Sequence, residues 1–236
     1  MPSPLEIALA SLAMAFGSAV QAAVGIGMAL LVVPILALLG TQFVPGPMLF
    51  AGIALAAATA YRDRAAVDRT KLGLSFAGLG VGTAVGVAAL KLVSGPSLPK
   101  VFGGLILLAV LISIASPRVL PTPRMLLAGS TASGIMGSMV GIHGPAMALV
   151  FQNAEPLQAR ATLGALFAVG YAIAVASLAL VGLFGIQELV LGCALLPGVA
   201  VGYFASPAIS RFIDQTVLRV AILTISSISA VSLLFR

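Results

Sequence analysis

The chain has no tryptophan, one cysteine and one histidine, and only 8% of its 236 residues are Asp, Glu, Lys or Arg. Each scarcity excludes something. A soluble domain carries about 25% charged residues, so this chain cannot cover a water-facing surface and its solvent is lipid. The lone Cys193 rules out an intramolecular disulfide and any CxxC redox or metal motif. One histidine and one cysteine offer no ligand set for zinc, so no metal and no cofactor is expected. There is no Walker loop and no hydrolase triad, which argues against an ATP-driven pump and against an enzyme. The acidic residues Glu6, Asp63, Asp68, Glu155, Glu188 and Asp214 all lie at the ends of apolar segments or in loops. No carboxylate sits at membrane depth, where proton and sodium relays usually need one.

What is present is apolar: 61% hydrophobic residues and a mean hydropathy of +1.20. The length allows roughly eight apolar segments of about 20 residues and no soluble domain. They read 5–39, 44–61, 72–93, 99–116, 124–152, 161–184, 188–208 and 215–235. Only helices and closed barrels satisfy backbone groups in lipid. These are continuous apolar runs and not ten-residue alternations, so the fold class is an all-α integral membrane protein. The net charge of +6 sets topology from the loops. With no basic patch interleaved with aromatics, nucleic acid is not an expected partner. The first residues lack the basic n-region of a signal peptide and read as mature protein.

Two segments have the wrong length. Segment 5–39 as one helix would run about 52 Å, at ~1.5 Å per residue, through a hydrocarbon core of about 30 Å. Segment 124–152 is also long. Both are interrupted by the same words, Val24-Gly25-Ile26-Gly27 and Val140-Gly141-Ile142-His143-Gly144-Pro145. Further correspondences follow at an offset of about 116 to 120 residues, as in internal repeats. Met28-Ala29-Leu30 returns as Met147-Ala148-Leu149, Gly78, Gly82 and Gly86 as Gly198, Gly202 and Ser206, and Lys100-Val101 as Arg219-Val220. The expected organisation is one integral membrane domain of two homologous four-segment halves, 1–117 and 118–236, with the first and fifth segments broken. The small-xxx-small stripes at Gly78 and Gly198 serve close helix packing, either inside the chain or at a homodimer interface.

Each broken segment is either one overlong span or a re-entrant pair of half-helices. If all eight cross, Lys and Arg divide almost evenly between the two sides. If segments one and five re-enter, one side gathers Arg62, Arg64, Arg69, Lys71, Arg118, Arg124, Arg160, Arg211 and Arg219. The other keeps Lys91, Lys100 and Arg236. The re-entrant reading gives the cleaner positive-inside bias. It makes the halves inverted and puts both termini outside the cytoplasm.

Broken helices at matching places in two halves are the best sequence pointer to a transporter's binding site. A break exposes backbone N–H groups at the start of its second helix, and the helix dipole adds positive potential. Two such breaks facing each other near the midplane would hold a small anion without a fixed cation. The candidate substrate-binding residues are Gln21, Gly25, Gly27, Ser138, Gly141, His143, Gly144 and Pro145. His143 is an ionisable group inside the second break, able to donate to an anion or to carry a proton with one. Its counterpart in the first half is Gly27. Any single Ser or Thr at this depth can instead bond back to its own helix. Arg160 opens segment six and either attracts an anion at a vestibule or marks topology.

Gly134-Ile135-Met136-Gly137, Val140 to Pro145 and Arg160-Ala161-Thr162 resemble the duplicated glycine-rich motif of the sulfite exporter TauE/SafE family, whose second copy typically reads Gly-x-x-Gly-Pro. The first copy corresponds to Gly25-Ile26-Gly27-Met28 with Pro34, and Val67-Asp68 also looks familial. The chain departs from the pattern at Met28, where another glycine is common, and at His143, where a small residue is common. The resemblance implies a secondary carrier that moves a small sulfur-containing anion such as sulfite, thiosulfate or a sulfonate across the bacterial inner membrane. One half would rock against the other. An anion channel, a carrier of another small solute and a non-transporting membrane subunit are the rival readings.

Overall fold

The computed structural model describes residues 2–25, 28–93, 97–115, 120–209 and 215–235. The helices are α1 (Pro4–Val24), α2 (Met28–Leu39), α3 (Gly46–Arg62), α4 (Arg69–Leu92), α5 (Leu98–Ala115), α6 (Pro123–Val140), α7 (Gly144–Phe151), α8 (Pro156–Leu180), α9 (Ile186–Ile209) and α10 (Gln215–Leu234). Short 3₁₀ turns at Thr41–Phe43 and Arg64–Ala66 flank α3, and no strand occurs among the described residues. Among the described residues, seven helical stretches are long and apolar enough to cross a membrane. Large apolar side chains stand exposed on them, including Leu111 on α5, Phe204 on α9 and Ile228 on α10. The protein is an all-helical, multi-pass integral membrane protein.

Local sequence sets the helix starts. The Ser3 hydroxyl accepts from the Glu6 N–H while the Glu6 carboxylate accepts from the Ser3 N–H, a capping box that opens α1. Thr122 and Glu155 cap α6 and α8, each followed by a proline at the first helical position. Asp68 caps α4. Glycine sets the two breaks. Gly25 (φ 91°) ends α1 and Gly141 (φ 85°) ends α6, both in the left-handed region, where a side chain costs about 1–2 kcal/mol. Neither position has room for one: a Cβ would lie 2.8 Å from the Arg160 side chain at Gly25 and 2.9 Å from Met48 Sδ at Gly141.

After each break the chain doubles back. Val32 of α2 lies against Gly17 of α1, and Val150 of α7 lies against Gly129 of α6. The division is unequal, however. α1 and α6 have 21 and 18 residues, α2 and α7 only 12 and 8. Each broken segment is therefore a long helix followed by a short one, not two half-helices.

The remaining pairings interleave the chain. α1 packs on α9, α4 on α6 and α8, α3 on α8 and α9, α5 on α10 and α7, and α2 on α10. The glycine stripes make the closest of these contacts. Gly78, Gly82 and Gly86 of α4 face Ser130, Thr131 and Ile135 of α6; Gly198 and Gly202 of α9 face Ser11 and Ala15 of α1. Both stripes are thus used inside the chain. The register shows α1 parallel to α9 and α4 parallel to α6. α3 runs antiparallel to α8 (Gly52 beside Tyr171, Gly164 beside Ala60) and α5 antiparallel to α10 (Gly103 beside Ala230). One end of the bundle accordingly carries Arg62, Arg64, Arg69, Lys71, Arg124, Arg160 and Arg219, and the other carries Lys91 and Lys100.

Candidate functional site

The short helices α2 and α7 begin at one place. Ala29 and Leu30 from the first turn of α2 and Gly144 and Pro145 from the first turn of α7 line a common cavity with Gln21, Phe167 and Tyr171. Its volume of about 10 Å³ is room for about one water. α7 starts without a side-chain cap, so its first-turn N–H groups have no partner within the helix. Gln21, on the last turn of α1, is buried and lines the cavity together with Tyr171 of α8. The cavity therefore joins two helix N-termini, one amide and one phenol, all neutral.

His143 occupies the N-cap position of α7 and is fully buried. Its ring meets Tyr171 edge-on at 4.8 Å between centroids and Phe167 at 6.3 Å. It lies flat on the bare Cα of Gly137, where any Cβ would run into it. The Ser133 hydroxyl donates to the His143 carbonyl at 2.7 Å and fixes the backbone of the break. Neither ring nitrogen has a hydrogen-bond partner among the described residues. The ring packs among Tyr171, Gly137 and Gly170 rather than lining the cavity.

The other candidates separate by role. Gly25 and Gly141 make the turns. Gly27 lies outside the described residues. Ser138 turns into the α4–α6 interface, where its hydroxyl donates to the Gly134 carbonyl at 2.8 Å beside Gly86. Arg160 is engaged at the end of α1: Nε donates to Asp63 Oδ2 at 2.7 Å and an Nη1 hydrogen to the Ala23 carbonyl at 3.1 Å. Arg62 matches it, donating to the Ala22 carbonyl at 2.7 Å and to Asp63 Oδ1 at 3.2 Å. Two arginines from α3 and α8 thus satisfy the orphan carbonyls of α1 and share one carboxylate. Partial burial pushes the Asp63 carboxyl up, but the hydrogen bonds and charges of Arg62 and Arg160 outweigh it and hold the group below its ordinary value.

Sequence reasoning missed Tyr171, Phe167 and the Arg62–Asp63–Arg160 cluster. Tyr171 carried a signal, since a tyrosine at membrane depth needs a partner for its hydroxyl. A second cavity of about 470 Å³ lies between α1, α2, α5, α7 and α10 and shares Leu30 and Pro145 with the first.

Long apolar helices folded around a small buried cavity at the starts of α2 and α7 define a multi-pass membrane protein organised around an internal site. The family described as sulfite exporter TauE/SafE matches residues 9–233, and the chain belongs to that family of transporters. No curated protein and no solved structure matches the chain.

Proposed function

We propose that this protein is a secondary carrier that exports a small sulfur-containing oxyanion, such as sulfite, thiosulfate or a sulfonate, across the bacterial inner membrane. The observation that carries this reading is the convergence of the α2 and α7 N-termini on one cavity with Gln21 and Tyr171. Helix N-termini, that of α7 without a side-chain cap, supply N–H donors and positive potential to an anion, and the Gln21 amide and Tyr171 hydroxyl add two more donors. His143 sits one residue before the α7 terminus, close enough to respond to a charge bound there.

The helix pairings favour two inverted halves, 1–117 and 118–236, each of five helices. The main pairings have counterparts: α1–α9 with α4–α6, α3–α9 with α4–α8, and α2–α10 with α5–α7. The arginine-rich end of the bundle faces the cytoplasm on the positive-inside rule. A cavity with room for one water is closed to sulfite, which favours a carrier that opens to each side in turn over a channel. Membrane potential sets the direction. At 100 mV, negative inside, expelling one negative charge gains about 2.3 kcal/mol, roughly a 50-fold gradient.

The test is potential-driven sulfite flux into proteoliposomes. Wild-type flux is expected to be saturable, and Gln21→Ala with Tyr171→Phe is expected to raise the half-saturating concentration by about tenfold, for about 1.4 kcal/mol of lost binding. Absence of flux of sulfite, thiosulfate and sulfonates under every imposed gradient would sink the anion reading.

A further inference from the structure

We infer that the larger cavity is the cytoplasmic entrance to the site and that Arg219 is its anion-selecting residue. The inference rests on the carrier reading for its ligand, a small oxyanion, and on the geometry for its place.

The cavity has the volume of a ligand site, about 470 Å³ against a usual range of about 300–1,000 Å³. Its polar residues gather at one end. Ser113 stands near the C-terminus of α5, Gln152 follows α7, and Thr216 and Arg219 belong to the first turns of α10. Helix directions put all four at the arginine-rich end of the bundle. Its other end is apolar and stops at Leu30 and Pro145. These two residues also wall the small cavity, so they are the partition between entrance and site. An ion arriving from the cytoplasm passes a polar mouth and reaches the two helix N-termini by moving Leu30 and Pro145.

Arg219 is the one cation among the described residues of this wall. Arg62 and Arg160 share Asp63, and Lys71 pairs with Asp68. Among the described residues no carboxylate pairs with Arg219, whose Nη2 donates to the Ser113 carbonyl at 2.8 Å. That bond, to a neutral carbonyl, holds the guanidinium at the mouth with its positive charge intact. Apolar walls of low dielectric focus such a charge into the cavity. The competing account is that Arg219 only caps the last carbonyls of α5 and that lipid fills the space.

The experiment reads access and charge preference without reading flux. In a Cys193→Ser background, Ala148→Cys puts one thiol on the cavity wall. The full-length protein in oriented membranes is treated with impermeant methanethiosulfonates, one bearing a sulfonate and one a trimethylammonium group. The thiol is expected to react from the cytoplasmic side only, with the anionic reagent favoured relative to a small free thiol. Arg219→Gln is expected to lower that preference by about tenfold, the effect of one nearby charge at intermediate dielectric, and Arg219→Lys to retain most of it. Thr216→Asp, which leaves the Arg219–Ser113 bond in place, is expected to lower it too, so the test survives if Arg219→Gln does not fold. No labelling, labelling from the opposite side, or a preference untouched by both variants overturns the inference. If labelling behaves as stated but no anion is transported, the entrance stands and the carrier reading falls.

Discussion

His143 and Gly137 are one device made of two residues. The imidazole fills the space that the missing Cβ of Gly137 leaves open, and by the repeat offset Gly137 corresponds to Gln21 as His143 corresponds to Gly27. One half brings its polar side chain from the long helix, the other from the break. Gly137→Ala is expected to destabilise the protein by about 2–3 kcal/mol through overpacking. In combination with His143→Ala the cost should fall by more than 1 kcal/mol, since contacting residues couple at about 0.5–3 kcal/mol. Thermal melting of the four proteins in one detergent measures the coupling, and strict additivity would mean that the ring is not held by the glycine. Asp63 supplies a second residue-scale expectation. Its folded carboxyl titrates below the ordinary value of 3.8, so its contribution is complete above that value and is lost only as pH falls through the lower folded one. Stability is therefore expected to be insensitive to this group between about pH 5 and 8. Asp63→Asn should cost about 1–2 kcal/mol across that window, a value discounted for the partly exposed arginines. A melting profile of wild type and variant against pH decides it.

At the scale of the element, what was legible and what was not divide on physical grounds. The all-helical class, the long spans and both breaks were readable, because apolar length, N-capping residues and a glycine in an overlong run act within a few residues of chain. The side-chain roles were not. Ser138 had the right depth, yet its rotamer bonds back to its own helix and its face meets α4. Arg160 looked available to an anion, but its partner Asp63 is far away in the chain. Tyr171 and Gln21 meet at one cavity only because the fold brings α8 to the last turn of α1, a packing fact that no local pattern encodes. The glycine stripes were legible as packing surfaces but their partners were not. Gly82 now has one: a Cβ there would run into the Thr131 carbonyl, backbone rather than a movable side chain. Gly82→Ala is expected to separate α4 from α6 and cost more than 2 kcal/mol. Gly80→Ala on the open face of the same helix, where nothing lies within 4 Å, should be neutral or slightly stabilising. Melting temperatures of the two variants test the contrast.

On the scale of the whole molecule the sequence halves are not mechanical units. α1 of the first half is bound to α9 of the second, and α4 to α6, so rocking 1–117 against 118–236 would tear the tightest interfaces in the protein. Apart from α2 on α1 and α7 on α6, where the broken segments double back, the main pairings instead divide a connected layer of α1, α9, α3, α8, α4 and α6 from the group α2, α5, α7 and α10. The larger cavity lies between α1 and that group. Ser226 of α10 donates to the Leu30 carbonyl of α2, which links movement of α10 to the partition beside the site. The interleaving carries its own prediction. Expressed alone, 1–117 or 118–236 leaves a glycine stripe with no partner, and each fragment is expected to be degraded. Co-expressed, the two should assemble and co-purify. A single fragment that accumulates as a folded monomer would contradict the pairing. The matched interfaces have one more consequence. On the inverted-repeat reading, the main contacts between the halves, such as α1–α9 and α4–α6, are the same contact viewed from opposite sides of the membrane. A half-length polypeptide inserted in both orientations could satisfy all of them with a second copy of itself, so the covalent joint near residue 117 fixes stoichiometry and orientation rather than shape.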